Sequence, residues 1–530
     1  MPGQIIHGKN YIGGRWVESS SRATFRDLNP ANIEDVIGEF PESTGEDVLA
    51  AVTAAEEAYP AWRRLSRIKR GEHLDRFVQL VKARAEELAR EMARECGKQI
   101  NECRADVTEG IHMAQYESGL ARLPYGAVVA SEVAEKDAYV LRRPKGVVAC
   151  ITPWNFPFAI PLWLITPSLL EGNTAVFKPS EDTPLMGQRI LELLAEAGLP
   201  PGVLNLVQGH GEGAGAPLVA HPAVKVVLFT GSKAVGGLIR QACARSPDKL
   251  AVCEMGGKNA LIVCEDADLD LAARAAVLSA FKTTGQRCVS AERLIVHRQA
   301  LSRFQSKFVE LASRVVSGDP LDQSVFMGPL INADAAQKVA RYNRLAKAEG
   351  AQVLLDGGRL RDSAHAQGYF FSPFVYRLDH RSDARVLREE VFGPHVALIP
   401  YGDDEEAVRI HNDTDYGLAF SVITEDYRKA RYFRQECETG IGYWNLPTIG
   451  AEVQLPFGGA KASGTGMPSA AALNDAVSHR TAWTVNHARE IVMAQGLSAE
   501  VKGALAPPSP SGRGLRVRAR SKSSPNRYEA

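Results

Sequence analysis

A chain of 530 residues is too long for one compact domain and long enough to bury a large core. Its 62 Lys and Arg balance 62 Asp and Glu, which removes any bulk electrostatic case for nucleic acid or membrane as a partner. Eight cysteines, with no CxxC pair and no His/Cys cluster at ligand spacing, argue against a disulfide framework and against a metal site, and fit reduced thiols in the cytoplasm.

The N-terminal MPGQIIHGKNYIGGRW has no apolar run of the signal-peptide kind. Residues 4–40 read as short strands, with Gly13 and Gly14 at a hairpin tip. From about Gly45 to Ile100 the pattern becomes helical, with apolar residues on one face and charges on the other, and a further helix runs to about Leu120. Residues 124–143 read as an extended arm with polar ends.

Between Gly146 and Leu170 no side chain is charged. A membrane span is one reading of such a stretch, but Pro153, Pro157, Pro161 and Pro167 break the backbone bonding that a lipid-exposed helix must complete. The better reading is a strand KGVVACI, a loop PWNFP and a buried helix. NTAVFK, VLNLV and KVVLF follow, each succeeded by a turn and a helix. That alternation predicts parallel strands with right-handed crossovers, a doubly wound sheet whose ligands sit at the strands' carboxyl ends. A second α/β region extends to Tyr401, and a strand GIGYWN and a glycine-rich loop PFGGAKASGTG follow Gly440. The tail from about 503 is rich in Pro, Ser and Arg, and is expected to be disordered and basic.

The stretch from Glu254 to Cys288 carries the chemistry. A strand, an acidic turn and a helix pattern from Asp268 to about Thr284 return the chain so that both ends face one cleft, where a carboxylate and a thiol make a base and a nucleophile. Arg287 beside Cys288 favours the thiolate. Each candidate has a plainer reading as well. A free cysteine is usually a small buried hydrophobe, Glu254 can simply pair with Lys258, and Asn155 can be a turn former as readily as an oxyanion donor. Two glycine-rich turns, one at Gly209–Ala214 containing Gly211 and one at Phe229–Ser232, compete for a diphosphate, and spacing alone leaves the choice open.

Taken together, PWNFP (153–157), FKPSE (177–181), FTGS (229–232), EMGGKN (254–259), GQRC (285–288), EEVFGP (389–394) and PFGGAKASG (456–464) resemble the aldehyde dehydrogenase superfamily, in order and spacing, up to about residue 490. The resemblance implies a Rossmann-like NAD-binding domain (1–122 and 144–253), an α/β catalytic domain (254–445) and an oligomerisation β-arm (123–143 and 446–485), followed by the basic tail (503–530). It implies Cys288 as nucleophile, Glu254 as the base that activates water, and the Asn155 amide with the Cys288 backbone N–H as oxyanion donors. By the same carry-over, Lys178 and Glu181 hold the adenosine ribose, Ser232 meets the diphosphate, and Glu390 and Phe392 meet the nicotinamide ribose. Thr152, Trp154, Gly211, Gly231, Val235, Met255 and Gly256 line the cofactor cleft. Glu181 disfavours a 2′-phosphate, so NAD is expected over NADP. Phe156, Ile160, Trp163 and Phe457 wall the aldehyde tunnel, and Arg287 is a candidate for a distal carboxylate, its plainer roles being thiolate stabilisation or an ion pair. The implied reaction is oxidation of an aldehyde, with a carboxylated semialdehyde as one candidate substrate, in a homodimer or homotetramer. The alternatives are a CoA-acylating semialdehyde dehydrogenase, which does not need Glu254, and a non-catalytic binding protein on the same scaffold.

Overall fold

The computed structural model describes residues 5–466, 468–491 and 493–494, so the tail expected at 503–530 lies outside the described residues. A short strand, Ile6–His7, precedes a hairpin, Asn10–Ile12 (β1) and Arg15–Val17 (β2), which turns at Gly13 and Gly14 with φ of 58° and 85°. Glycine adopts this left-handed backbone without a steric penalty, and the turn's twist matches that of the strands. Four helices follow: Gly45–Arg64 (α1), Arg67–Ala83 (α2), Ala85–Cys96 (α3) and Ile100–Leu120 (α4). A capping box between Thr44 and Asp47 starts α1 by satisfying backbone N–H groups that have no partner in the first turn.

The first sheet is built from Val147–Ile151 (β3), Thr174–Lys178 (β4), Leu204–Leu206 (β5), Val224–Gly231 (β6) and Leu250–Met255 (β7), in the order β7-β6-β3-β4-β5-β1-β2. Strands β3 to β7 pair in parallel, and the opening hairpin adds an antiparallel edge. Every residue of β3 and β4 is buried, as strands covered on both faces must be. The charge-free stretch lies in this core: all residues of Ala159–Leu170 (α5) are buried. Among the described residues no helix is long and apolar enough to cross a membrane. Helices Pro184–Glu196 (α6) and Lys233–Cys243 (α7) complete the crossovers.

The second sheet takes Asn259–Val263 (β8), Ala291–His297 (β9), Gln352–Leu355 (β10), Phe374–Arg377 (β11), His395–Tyr401 (β12), Ala419–Ile423 (β13) and Ile441–Trp444 (β14), in the order β10-β11-β12-β9-β8-β13-β14. All its pairs are parallel except β10 with β11. Helix Leu269–Phe281 (α8) connects β8 to β9. It stops three residues short of the expected Thr284, because Thr283 and Thr284 turn left-handed at φ of 53° and 57°, and Gly285 follows at 71°.

Contacts divide the described residues into two units, those up to 126 with 141–481, and 127–140 with the described residues from 482. Both large sheets belong to the first unit. Within the second, 136–140 runs between 127–129 and 482–486 as part of a three-stranded sheet. In it, Asp137 accepts hydrogen bonds from Tyr139 and His487, and Val128 and Trp483 stand exposed.

Candidate active site

The parallel strands place their carboxyl ends at one cavity of about 190 Å³. β7 delivers Glu254 and Met255, and the turn after it delivers Gly256. β6 ends in Thr230 and Gly231, and Ser232 begins α7. The loop after β3 brings Pro153, Trp154 and Asn155, and α5 adds Ile160 and Trp163. From the second sheet's side come Cys288, Lys338, Glu390 and Phe392, and the glycine-rich loop region closes the cavity with Phe457 and Ser469.

Cys288 is half-buried and lines the cavity. Burial pushes the thiol up to about 12; the Glu390 and Glu254 carboxylates add to the rise, and Arg287 and the Val289 amide oppose it. Several bonds fix the loop that carries Cys288. Asn259 Nδ2 donates to the Cys288 carbonyl at 2.6 Å and to the Ser290 carbonyl at 2.9 Å. Asn155 Nδ2 donates to the Gln286 carbonyl at 2.9 Å, and Gln286 Oε1 accepts from the Ile331 amide at 3.0 Å. At Gly285 a Cβ would lie 2.2 Å from the Gly393 carbonyl oxygen, so glycine is required there twice, by space and by φ.

Glu254 is buried, its Oε2 accepts from the Gly459 amide at 3.1 Å, and its Oε1 has no partner. Burial drives its carboxyl well above the ordinary range, and the Gly459 bond only partly offsets this. Glu390 bonds the Gly257 amide at 2.9 Å and lies against Gly256, where any Cβ would strike it. Burial first, then Glu292, raise its carboxyl to about 7. Phe392 adopts a left-handed φ of 62°, costly for an aromatic residue. Glu292 holds that turn, accepting from the Val391 and Phe392 amides at 2.8 and 2.7 Å, and is itself paired with the buried Lys258. Phe392 meets Trp154 edge-on at 5.6 Å.

Of the residues singled out from sequence, Cys288, Glu254, Asn155, Trp154, Ile160, Trp163, Gly231, Ser232, Met255, Gly256, Glu390, Phe392 and Phe457 share the cavity. Thr152, Lys178, Glu181, Gly211 and Val235 lie outside its lining. Thr152 Oγ1 is buried with no partner, Lys178 pairs with Glu181 at 2.8 Å, Gly211 opens a wide turn after β5, and Val235 caps against Ser232 Oγ at 3.3 Å. Phe156 also stands outside, with Lys98 Nζ 3.8 Å and the Arg287 guanidinium 5.0 Å from its ring centre. Arg287 is engaged away from the cavity: it donates to Glu102 at 2.6 Å and to Thr283 Oγ1 at 2.8 Å, the ion-pair arrangement rather than an open anion subsite. Pro153 and Thr230 belong to the PWNFP and FTGS motifs already noted, whereas Lys338 and Ser469 line the cavity without any sequence signal beyond an amphipathic helix and a short strand.

The model of the aldehyde dehydrogenase family matches residues 16–483. The chain belongs to the aldehyde dehydrogenase family. It is 40% identical over 456 residues to the alpha-ketoglutaric semialdehyde dehydrogenase of Bacillus subtilis (strain 168), covering 86% of this chain and 93% of that one. Among solved structures it is similar to betaine aldehyde dehydrogenase from Staphylococcus aureus in complex with NAD+, with a TM-score of 0.88 at 32% identity over 91% of this chain and 95% of that one. The NAD-dependent aldehyde dehydrogenase from Sinorhizobium meliloti gives the same TM-score at 33% identity, over 92% and 96%. The two sheets are thus those of the aldehyde dehydrogenase fold.

Proposed function

We propose that this aldehyde dehydrogenase oxidises an aldehyde to its carboxylic acid through a thioester on Cys288, with NAD as the oxidant. The observation that carries the reading is the sharing of one cavity by a thiol, an unpartnered carboxylate oxygen and a buried amide. The residues present fit NAD. The Lys233 and Ala234 amides at the start of α7 have no acceptor among the described residues, the bare backbones of Gly231 and Gly256 border the cavity, and Thr152 Oγ1 is a buried hydroxyl without a partner. Glu181, held below the ordinary carboxylate range because Lys178 outweighs burial, is charged at neutral pH and disfavours a 2′-phosphate.

In this mechanism the Cys288 thiolate adds to the aldehyde carbon, and the developing oxyanion meets the second Asn155 N–H and the Cys288 amide. Bound nicotinamide supplies the hydride acceptor. Glu254 then takes a proton from water as it attacks the thioester, and the carbon–sulfur bond breaks to release the acid. Trp163 and Phe457, 4.9 Å apart between ring centres, and Ile160 present an apolar wall to the substrate's chain. The Bacillus relative supports a carboxylated semialdehyde as substrate. Arg287 serves there as a positioning residue for the nucleophile's loop. The enzyme works as a homo-oligomer through the arm at 123–143 and 446–485, whose exposed Val128 and Trp483 suit a second copy, and its free cysteines suit the cytoplasm. The test is NADH formation with a panel of aldehydes and semialdehydes, with and without CoA. Acid release without CoA is expected, and a strict CoA requirement overturns the hydrolytic reading.

A further inference from the structure

Ser469 lines the cavity that holds Cys288 and has no part in the mechanism described so far. Its segment adjoins the arm in sequence, yet the residue belongs to the first unit and is buried. A short antiparallel pair holds it: Pro456–Phe457 runs against Ser469–Ala470, with Phe457 directly opposite Ser469. Residues directly opposite on paired strands point to the same face. Phe457 meets Trp163 there and forms the apolar wall of the cavity, so the Ser469 hydroxyl stands beside that wall. Among the described residues this hydroxyl has no hydrogen-bond partner, although Ser469 is buried. The next residue, Ala470, is held left-handed at φ of 55°, a costly conformation for alanine, and is packed into the cluster of Met113, Trp163 and Phe457. Such strain collects where a neighbouring group has to be aimed.

The same strand pair leads into the turn on which Glu254 rests. Glu254 Oε2 accepts from the Gly459 amide, and a Cβ at Gly458 would lie 3.0 Å from Glu254 Oε1 and 3.0 Å from Pro468 Cα. The unpartnered oxygen of Glu254 and the residue before Ser469 thus border one point beside Gly458. A water drawn to that oxygen carries two protons. Glu254 takes one, and the other needs an acceptor, because an unmet O–H against an apolar wall is costly. Thr230, Ser232 and Glu390 lie with Gly231 and Gly256 on the cofactor side, and Asn155 is committed to the oxyanion. Ser469 Oγ is the acceptor on the aldehyde side.

We propose that Ser469 is a positioning residue for hydrolysis, its hydroxyl accepting a hydrogen bond from the water that Glu254 activates, a role that rests on the thioester reading above. The water oxygen bonds to the thioester carbon, one proton passes to Glu254, and the other stays on the new hydroxyl, held toward Ser469 Oγ. As the carbonyl re-forms, the carbon–sulfur bond breaks and its electron pair leaves on the Cys288 sulfur, which takes up the proton held by Glu254. Forming the thioester uses no water, so Ser469 has no role in the reduction of NAD.

The test is a single turnover, with NAD-saturated enzyme in excess over whichever of succinic semialdehyde and propanal it oxidises faster. NADH absorbance follows thioester formation, and quenched samples follow the released acid. Ser469→Ala should form NADH at the wild-type rate and release acid about tenfold more slowly, the effect of one lost hydrogen bond to the attacking water. Ser469→Thr keeps the hydroxyl and should release acid at nearly the wild-type rate. Hydroxylamine attacks a thioester without a positioned water, so it should restore acyl release in Ser469→Ala, as the hydroxamate. Acid release at the wild-type rate in Ser469→Ala, or NADH formation slowed by the same factor as acid release, overturns the positioning role and leaves the thioester standing. A wild type that yields no hydroxamate at any hydroxylamine concentration overturns the thioester reading, and the role of Ser469 with it.

Discussion

Replacing Glu102 by alanine should disable the enzyme without touching the cavity. Glu102 sits on α4, buried, and accepts from Arg287 Nη2 at 2.6 Å, from Thr283 Oγ1 at 2.7 Å and from the Thr283 amide at 3.1 Å. These bonds clamp a run in which Thr283 and Thr284 are held left-handed, at roughly 1–2 kcal/mol of strain for each threonine, immediately before the Gly285–Cys288 loop. Glu102→Ala leaves Arg287 partly buried and unpaired, a loss of about 3–5 kcal/mol by analogy with broken buried ion pairs. Relaxation of the threonines returns a part of that, so about 2–4 kcal/mol is the net expectation. Because the freed run is the one that aims Cys288, turnover should fall about a hundredfold, the usual cost of misplacing a reacting group by an ångström, while NAD affinity is unchanged. Glu102→Gln retains the acceptor for Thr283 and should fall between. The pH dependence adds a check. Burial pushes the Glu102 carboxyl up, but Arg287, Lys282 and the Thr283 bond together leave it below its ordinary value. A depressed carboxyl stabilises the fold above its unfolded pKa of about 4, and the stabilisation is lost as pH falls through the folded value. The wild type's advantage over Glu102→Gln in urea should therefore be full at pH 7 and fade in acid. Wild-type turnover and an unaltered rate of Cys288 alkylation in Glu102→Ala would refute the reasoning.

Asn155→Ala should lower turnover about a hundredfold, near 3 kcal/mol for one oxyanion donor, with little change in NAD binding by fluorescence titration; normal turnover removes Asn155 from the mechanism. In the cofactor-free enzyme, a thiol pushed up to about 12 makes Cys288 alkylation by iodoacetamide rise about tenfold per pH unit between 7 and 9, in step with the thiolate fraction. A plateau near pH 8 would contradict that burial. NADP should support turnover at least about tenfold less efficiently than NAD, and Glu181→Gln should narrow the gap by removing the charge that meets a 2′-phosphate; equal efficiencies in the wild type would exclude that role for Glu181.

The parallel sheets were legible because each strand is a continuous apolar run followed by a turn and a helix, a pattern that β3, β4 and β6 repeat. The buried character of α5 was legible from its prolines, which rule out lipid as the alternative. What periodicity cannot register is a backbone forced by distant partners. Nothing local in LSAFKTTGQRC marks Thr283 and Thr284 as left-handed, because the reason lies in Glu102, about 180 residues earlier. An ion pair was among the roles open to Arg287, but its partner, the same Glu102, leaves no trace in the sequence around GQRC. Lys338 reaches the cavity from a helix whose polar face looks like any other. Side chains that act across the two sheets are visible only once both are folded.

The unpartnered oxygen of Glu254 has a thermodynamic signature separate from its chemistry. A carboxyl held well above its unfolded value is protonated in the folded protein at pH values where the unfolded chain is ionised. Its stabilising contribution is whole below the unfolded pKa, near 4.3, and is lost as pH rises through the folded value. Glutamine at 254 does not titrate, keeps an oxygen for the Gly459 amide and has nearly the same volume. The stability of Glu254→Gln relative to wild type should therefore improve from pH 5 toward pH 8, by at most about 1.4 kcal/mol per pH unit, the slope for one proton. Urea midpoints of both proteins at several pH values measure it, and NADH turnover at the same pH values should be lost in the variant throughout. A gain in stability with a loss of turnover means the chain keeps an electrostatically costly group for its chemistry. If the two stabilities run parallel across that range, Glu254 has its ordinary pKa, the cavity is wetter than its geometry indicates, and the raised basicity assigned to the water-activating residue has no source.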